Sequence, residues 1–371
     1  MIIASYKIVS AALILAVCLM FAIGPQVAEA SYHFTDYRGT PPIHVLGTST
    51  KTPKGMTPSQ IKTIYHLPQN GGRGTIAIIG AYNDKTIEAD LAVFDKQFDL
   101  PACTSANGCL EQHLMSAKET SNSSWALETS LDVEWAHAIA PEAKILLVDA
   151  QTPSGANLLK AIDYASSRSG VVSISMSWGG AEFPEEVTLD SHFKSVSGAA
   201  YFASSGDNGT GASWPAASPA VIGVGGTSIK SGTTGTFISE TAWSGSGGGV
   251  SSYEKEPAFQ AAYDIPKAGG KRAIPDVAYD ADPASGFPIY HAGAWREVGG
   301  TSAGAPQWAA IAALGIGISL THLYADKAAI NEPTYFRDII SGTNGACGYL
   351  CTARKHYDYV TGLGTPQTAN F

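Results

Sequence analysis

The chain has 371 residues, and 44% of them are hydrophobic, which excludes an intrinsically disordered protein. Charged residues make up only 15% of the chain and the formal net charge is −9 without any basic run, so the composition argues against nucleic acid as a partner. The length alone permits one large α/β domain or two ordinary domains.

Residues 1–30 have the pattern of a secretory signal peptide. Lys7 precedes the apolar run IVSAALILAVCLMFAIG, and Ala28 and Ala30 occupy small-residue cleavage positions before Ser31. An uncleaved membrane anchor is the alternative, because the run is nearly long enough to span a bilayer. The cleavage motif favours export, so we expect a secreted protein with no membrane association after the signal is removed.

Residues 31–55 are rich in proline, threonine and glycine and show no periodicity. We therefore predict an extended linker or arm there. From Met56 to the end of the chain the pattern is that of a globular domain.

From residue 75 onward, predicted strands alternate with predicted helices. The strands are predicted at 75–82, 143–150, 171–178 and 199–205, and the helices at 87–98, 123–140, 157–167 and 187–197. This alternation predicts an α/β fold with a parallel sheet and helices on both faces. Active sites in such sheets lie at the carboxyl ends of the strands, where the loops SMSWGG, ASSGDNGTG and VGGTSAGAP occur.

Four cysteines beyond the signal segment form two close pairs, Cys103 with Cys109 and Cys347 with Cys351. An even number of cysteines in an exported protein predicts two local disulfides. The alternative is a four-thiolate zinc site, which requires both pairs to converge in space.

Ser302 is a candidate nucleophile. Gly299 and Gly300 lead into this serine at the start of an apolar helix, where its hydroxyl can point into a cleft beside backbone N–H groups. The alternative is that Thr301 or Ser302 only caps the helix.

The same segment matches the G-x-S-x-G nucleophile elbow of α/β-hydrolases through Gly300, Ser302 and Gly304. Asp338 and His356 follow in the chain order that this fold requires of its acid and histidine. The segment HAGAWREVGG before the serine is a poor buried strand, however, so the sequence favours this alternative less.

Two carboxylates lie on one face of the predicted helix at 123–140. Glu128 and Asp132 differ by about 40° around the helix axis, whereas His137 lies about 180° from Glu128 and cannot share their site. Like charges at this spacing destabilise a helix slightly, which favours a functional role, and a solvated acidic face is the alternative. Asp207 also follows a predicted strand, although the sequence Asp-Asn-Gly suits an ordinary turn.

Taken together, these segments resemble the sedolisins, the serine-carboxyl peptidases, which are secreted relatives of subtilisin that work in acid. The resemblance covers about residue 56 to the end of the chain and implies a subtilisin-like, doubly wound α/β sheet, mostly parallel, with helices on both faces. Its motifs occur in one order and include MTPSQIKTIYHLP, ETSLDVEW, SISMSWGG, ASSGDNG, IPDVAYDADP, GGTSAGAPQWAA and YDYVTGLGTP.

The resemblance assigns a role to each candidate residue. It implies that Ser302 is the nucleophile, that Glu128 is the base replacing the histidine of subtilisins, that Asp132 hydrogen-bonds this glutamate, and that Asp207 is the oxyanion-hole acid. A carboxylate can take the serine proton and return it to the leaving amine, as imidazole does in the Ser-His-Asp triad. We therefore expect a monomeric endopeptidase that hydrolyses polypeptides through an acyl-enzyme.

The role of Asp207 predicts an acidic pH optimum, because only a protonated carboxyl can donate a hydrogen bond to the oxyanion. Holding a carboxyl of pKa about 3.9 neutral at pH 7 costs roughly 4 kcal/mol. One oxyanion donor contributes about 2.7–4 kcal/mol in the transition state, so the gain is cancelled at neutral pH unless burial shifts the pKa strongly.

The resemblance also implies one structural calcium ion near the C-terminus, held by oxygen ligands. The matching carboxylates are Asp338 and Asp358, with backbone carbonyls expected from Ile339, Arg354 and His356. Arg354 and His356 stand where family members often have glycine.

The second departure from the family is the N-terminus. Sedolisins are usually made with a large pro-domain, and residues 31–55 are too short for one. A catalytically silent binding protein with the same fold is therefore a further alternative, although a binding module has no need of all four candidate catalytic residues.

Overall fold

The computed structural model of the chain describes residues 32–118, 120–232, 235–315, 318–325 and 335–367. The predicted signal peptide at residues 1–30 lies outside the described residues. Met1–Tyr32 and His33–Phe371 are separate units, and every described strand and helix lies in the second unit. No helix among the described residues is long and apolar enough to cross a membrane.

The alternation of strands and helices is observed along the chain. The strands are β1 (His44–Thr50), β2 (Thr75–Ala81), β3 (Leu110–Leu114), β4 (Lys144–Ala150), β5 (Val171–Met176), β6 (Gly180–Ala181), β7 (Ala200–Ser204), β8 (Ser213–Trp214), β9 (Ile222–Ser231), β10 (Phe237–Ala242), β11 (Gly249–Lys255), β12 (Lys271–Ile274), β13 (Val277–Asp280), β14 (Phe287–His291), β15 (Ala294–Gly299), β16 (Phe336–Arg337) and β17 (Thr365–Pro366). The helices are α1 (Pro58–Ile64), α2 (Ile87–Phe98), α3 (Ser123–Ile139), α4 (Gly155–Ser166), α5 (Ala258–Tyr263), α6 (Gly304–Ala313) and α7 (Leu320–Ala325).

Within the described residues, eight strands form the main sheet. Its order is β10-β9-β7-β5-β2-β4-β3, and β13 also pairs with β9. The pairings are parallel except for β10 with β9, which is antiparallel. This topology confirms the predicted mostly parallel, doubly wound α/β fold.

Helices cover both faces of the sheet because alternate strand residues point to opposite sides. Ile76 and Ile78 of β2 pack in one core, against α3 and α6. Ala77 and Ile79 of the same strand pack in a second core, against α4. The apolar run of β2 is thus explained by burial on both faces.

The predicted helix at 187–197 is wrong. The structure has two short 3₁₀ helices there, Glu186–Thr188 and Asp190–His192. Val187 and Val196 are 43% and 74% exposed, so the apolar spacing is not matched by a buried face. Without such a face a short helix gains too little packing to be stable.

The described part of the arm packs on the fold. β1 pairs antiparallel with β15, and β15 forms a hairpin with β14. Further towards the N-terminus, Arg38 and Thr40 form single bridges with Ser154 and Gly179. The arm contains the 3₁₀ helix Phe34–Asp36 and β1, and it lies against the rest of its unit from His33 onward.

Both predicted disulfides are present, Cys103 with Cys109 and Cys347 with Cys351. Because all four cysteine sulfurs form these disulfide bonds, no thiolate remains to bind zinc, and the four-thiolate zinc alternative is wrong. The two disulfides each close a short local loop.

Candidate active site

Loops that follow two strands of the main sheet meet around Ser302. Ser177 follows β5, and its Oγ lies 3.1 Å from the carbonyl oxygen of Ser302. Asp207 follows β7, and its Oδ1 accepts hydrogen bonds from Thr301 N at 2.8 Å and from Thr301 Oγ1 at 2.7 Å. The site therefore lies at the carboxyl ends of the strands, as the sequence predicts.

Ser302 lies in the 3₁₀ helix Thr301–Ala303, directly before α6. No side chain caps either helix, so the interpretation of Ser302 as a cap is wrong. The turn into this segment requires Gly300, which has φ 125°. A Cβ at Gly300 would lie 2.1 Å from Pro42 O and 2.6 Å from Asp207 Oδ2, so a larger residue would clash with both.

Glu128 and Asp132 both face the interior from α3, and each is only 2% exposed. The alternative of a solvated acidic face is therefore wrong. Ser177 Oγ donates to Asp132 Oδ1 at 2.6 Å. Glu128 lies beside Ser302 and Asp132, although neither of its oxygens forms a hydrogen bond of good geometry with a described residue.

Burial controls the protonation of this carboxyl pair. It raises the pKa of Glu128 well above its ordinary value, and the charge of Asp132 raises that pKa further. Burial also raises the pKa of Asp132, against the hydrogen bond from Ser177. Two carboxyls in one water-poor site do not readily ionise together, so the pair shares a proton over a wide pH range.

Asp207 is paired with a histidine from the arm. Burial raises the pKa of Asp207, and the contacts with His44 and Thr301 oppose this increase. His44 Nε2 lies 3.1 Å from Asp207 Oδ2, and the contact with Asp207 raises the pKa of His44. The side chain of Asp207 is 5% exposed, which an ordinary turn aspartate would not require.

The arm lies across the site like an extended peptide. Thr40 N donates to Gly179 O at 3.0 Å, and Gly179 N donates to Thr40 O at 3.2 Å. Two residues later, Ser302 Oγ donates to Pro42 O at 2.8 Å. The serine hydroxyl thus points at a peptide carbonyl of an extended segment that forms backbone hydrogen bonds with the rim of the cleft.

A cavity of about 540 Å³ lies beside the arm and Asp207. The loop at 208–213 and the segment at 179–181 form much of its wall. Its lining contains only two ionisable side chains, His44 and Asp207. The space next to Pro42 is therefore suited to an uncharged side chain.

Several residues that contact the serine site were not predicted from the sequence to belong to it. Ser177 lies in the SMSWGG loop, whose position after a strand is a usable signal. Thr301 is adjacent to the candidate serine and was considered only as a helix cap. Pro42 and His44 lie in a segment without periodicity, and no sequence pattern connects them to the site.

The two histidines considered from the sequence are not at the serine. His137 Nε2 lies 2.8 Å from Pro101 O, and burial lowers the pKa of His137 to about 4. His356 lies in the C-terminal loop, where its backbone N donates to Asp338 Oδ2 at 2.9 Å. β15, before the serine, belongs to a three-stranded antiparallel sheet, so the structure does not support a nucleophile elbow.

The residues of the predicted calcium site do lie together. Asp358 Oδ2 accepts hydrogen bonds from Arg354 N and Thr361 Oγ1, both at 3.0 Å. Burial raises the pKa of Asp338, and it raises the pKa of Asp358 to about 6, which a bound cation would offset. His356 has φ 66°, the region that favours glycine, so the loop keeps this conformation despite the larger residue.

The donor set of this loop fits calcium. Two carboxylates and the carbonyls of Ile339, Arg354 and His356 provide only oxygen ligands, which calcium prefers. Among the described residues, these three carbonyl oxygens accept no backbone hydrogen bond.

The fold and the serine site together define a class of protein. A family model described as the subtilase family matches residues 113–318. The chain therefore belongs to the subtilase family. Sphericase has the same fold, with a TM-score of 0.56 and 19% identity over 86% of this chain and 99% of its own.

The chain is also similar to two curated serine peptidases in sequence. The chain is 27% identical to sedolisin of Pseudomonas sp. (strain 101) over 85% of this chain and 60% of the relative. It is 30% identical to kumamolisin of Bacillus sp. (strain MN-32) over 86% of this chain and 63% of the relative. The chain thus spans less than two thirds of the length of these curated relatives.

A solved structure agrees with these relatives. Pseudomonas sedolisin, a serine-carboxyl proteinase complexed with two molecules of pseudo-iodotyrostatin, matches with a TM-score of 0.75 and 26% identity. The match covers 86% of this chain and 97% of that chain. The predicted resemblance to the sedolisins is confirmed.

The contact between His44 and Asp207 can be tested by titration. Asp207→Asn removes the carboxylate that raises the pKa of His44, so we expect the pKa of His44 to fall. NMR titration of the His44 ring protons, in a Ser302→Ala background that prevents self-digestion, measures this change. Glu111→Gln, which removes an exposed carboxylate elsewhere, is the control, and an equal His44 pKa in all three proteins would contradict the contact.

Proposed function

We propose that the chain is a secreted serine-carboxyl endopeptidase that hydrolyses polypeptides in acid through an acyl-enzyme on Ser302. The observation that supports this most directly is the hydrogen bond of 2.8 Å from Ser302 Oγ to the carbonyl of Pro42. A polypeptide substrate in the position of the arm would present its carbonyl to the same hydroxyl. The proposal takes polypeptides as substrates and the monomer as the active form.

Glu128 is the proposed general base. When its carboxyl is ionised, it accepts the Ser302 proton as Oγ attacks the carbonyl carbon, and it then gives this proton to the nitrogen of the leaving amine. In the second half of the reaction water attacks the acyl carbon, Glu128 takes a proton from this water, and it returns the proton to Ser302 Oγ as the ester bond breaks. Asp132, held by Ser177, lies behind Glu128 and stabilises the proton that Glu128 carries between these steps.

Asp207 is the proposed oxyanion donor, acting in its protonated form. Burial favours this form, because it raises the pKa of Asp207. The nearby Gly300 leaves space for a carbonyl oxygen beside Asp207 Oδ2. Donation from Asp207 would strengthen as negative charge develops on that oxygen.

The arm must leave the cleft before a substrate can bind. Its ion pair requires a protonated His44 and an ionised Asp207, so it exists only between the pKa values of these two groups. Below the pKa of Asp207 the ion pair is lost and Asp207 becomes a hydrogen-bond donor. Protonation of Asp207 in acid would therefore have two effects. It would remove the ion pair that holds the arm, and it would complete the oxyanion hole.

Export is part of the proposal. The two local disulfides suit an oxidising compartment outside the cytosol. The signal segment at residues 1–30 is the sequence feature that supports it.

The proposal predicts a peptidase activity that is maximal in acid. Above the pKa of Asp207 the rate should fall by about tenfold per pH unit as the donor ionises. The measurement is hydrolysis of a denatured protein by the purified chain between pH 3 and 8. Ser302→Ala should lose at least about 10³-fold of the rate, whereas Ser121→Ala, at an exposed position, should not.

Glu128→Gln separates the proposed base from the elbow alternative. The amide has nearly the same shape and cannot accept the serine proton, so a loss of at least about 10²-fold is expected. An enzyme that used His356 would keep its rate in this variant. An optimum at pH 7 or above would contradict the role of Asp207, and a folded chain without any activity would favour the silent binding protein.

We also propose that the loop of Asp338 and Asp358 binds one structural calcium ion. Calcium should then raise the free energy of unfolding by about 2.7 kcal/mol at a concentration of 100 times its Kd. Thermal unfolding with calcium and with a chelator measures this difference. Asp358→Asn should abolish the effect of calcium on unfolding, whereas Asp264→Asn, at an exposed position, should keep it. An equal unfolding temperature with and without calcium in the unmutated chain would contradict the site.

A further inference from the structure

A second cluster of ionisable side chains lies apart from the serine site. It joins the end of β2, α2 and the turn between β14 and β15 through Asp84, Asp90 and His291. One ligand atom from each of these three side chains lies within 4.8 Å of the other two. Asp84 and Asp90 are 5% and 4% exposed and His291 is 9% exposed, so the cluster is buried.

The carboxylates of the cluster have more acceptor capacity than their neighbours satisfy. Thr86 Oγ1 lies 2.9 Å from Asp84 Oδ1 and 2.7 Å from Asp90 Oδ2. Thr86 N donates to Asp84 Oδ1 at 2.9 Å and Ala292 N donates to Asp90 Oδ2 at 3.0 Å, whereas the single hydrogen of the Thr86 hydroxyl can reach only one of the two carboxylates at a time. Asp84 Oδ2 is buried and has no hydrogen-bond partner among the described residues.

No cation of the described residues neutralises the carboxylates directly. Neither Asp84 nor Asp90 forms an ion pair with a lysine or arginine there. Arg296 is near enough to lower the pKa of His291, and Glu134 adds a further buried carboxyl beside Asp84 and Asp90. Buried carboxylates without a counter-charge are costly, and a bound cation would offset their charge.

His291 has the geometry of a metal ligand with an outer hydrogen bond. Its Nδ1 lies 2.9 Å from Ser130 Oγ. When Ser130 Oγ donates its hydrogen to Ala126 O, which lies at 3.3 Å, it can accept a hydrogen bond from Nδ1–H. In a neutral imidazole this leaves the lone pair of Nε2 free, and such a bond typically orients histidines that bind metals.

The ligand types select the class of ion. Two carboxylate oxygens and one imidazole nitrogen suit zinc or manganese better than calcium, which prefers oxygen ligands alone. Ligands of a tetrahedral zinc ion lie about 3.4 Å apart, given metal–ligand distances of about 2.0–2.2 Å. The three ligand atoms, which lie within 4.8 Å of one another, would have to adopt this spacing around a bound ion.

We propose that Asp84, Asp90 and His291 form a binding site for one divalent transition-metal ion of the zinc or manganese type. The ion fastens the turn between β14 and β15 to α2 and to the end of β2. Because β15 leads directly into Gly300 and Ser302, the ion stabilises the strand that positions the proposed nucleophile. The site is separate from the proposed calcium loop in both its residues and its ligand chemistry.

Calorimetric titration with zinc chloride tests the proposal. The protein is the full chain with Ser302→Ala. The titration is made at about pH 7, where imidazole is largely neutral. Saturating calcium is present to fill the other proposed site. We expect one equivalent of zinc to bind. Asp84→Asn and His291→Gln should each weaken binding by at least about 100-fold, and Ser130→Ala by about tenfold.

Asp99→Asn is the matched control, because it removes an exposed carboxylate just beyond the end of α2. It should leave the zinc affinity unchanged. Circular dichroism of the metal-free variants verifies that each is folded.

X-ray absorption of zinc in the chain without cluster substitutions gives a second readout that needs no folded variant. We expect nitrogen and oxygen ligands. Absence of saturable zinc binding, unchanged affinity in both ligand variants, or a sulfur ligand would overturn the proposal. None of these results depends on peptidase activity, so the site and the proposed function can fail separately.

Discussion

The structure around Ser302 depends on the burial of two carboxyls on one helix. α3 packs against α2, α6 and the main sheet, so its positions 128 and 132 face the interior and not water. A low-polarity environment disfavours two negative charges, and the pair therefore retains a proton at pH values where exposed carboxyls are ionised. In the proposed mechanism this constraint would make Glu128 a stronger base than an exposed carboxylate, and Ser177 donates a hydrogen bond to Asp132 beside it.

The second acid of the site has a different environment and a different proposed role. Asp207 receives two hydrogen bonds from Thr301 and faces His44 of the arm. Its buried position favours the protonated form, whereas the arm histidine favours the ionised form. In the proposed mechanism the same carboxyl would hold the arm when ionised and stabilise an oxyanion when protonated, which would connect occupancy of the cleft to pH.

Much of the fold could be predicted because its strands are buried on both faces and its helices have regular apolar spacing. The strands β2, β4, β5 and β7 and the helices α2, α3 and α4 lie within a few residues of their predicted positions. The helix predicted at 187–197 does not form, because Val187 and Val196 are exposed and the segment has no continuous buried face. The contacts of Pro42 and His44 could not be predicted, because they depend on an aperiodic segment meeting residues more than 150 positions away.

In the proposed reaction Ser302 forms the covalent intermediate and Glu128 activates it. The most direct measurement is mass spectrometry of the intact protein, quenched by denaturation during turnover of an activated peptide ester in acid. We expect a mass increase equal to the acyl group, and digestion should locate this increase to Ser302. The increase should be absent from Ser302→Ala and should form much more slowly in Glu128→Gln. An adduct on another residue, or none during measurable turnover, would contradict the account.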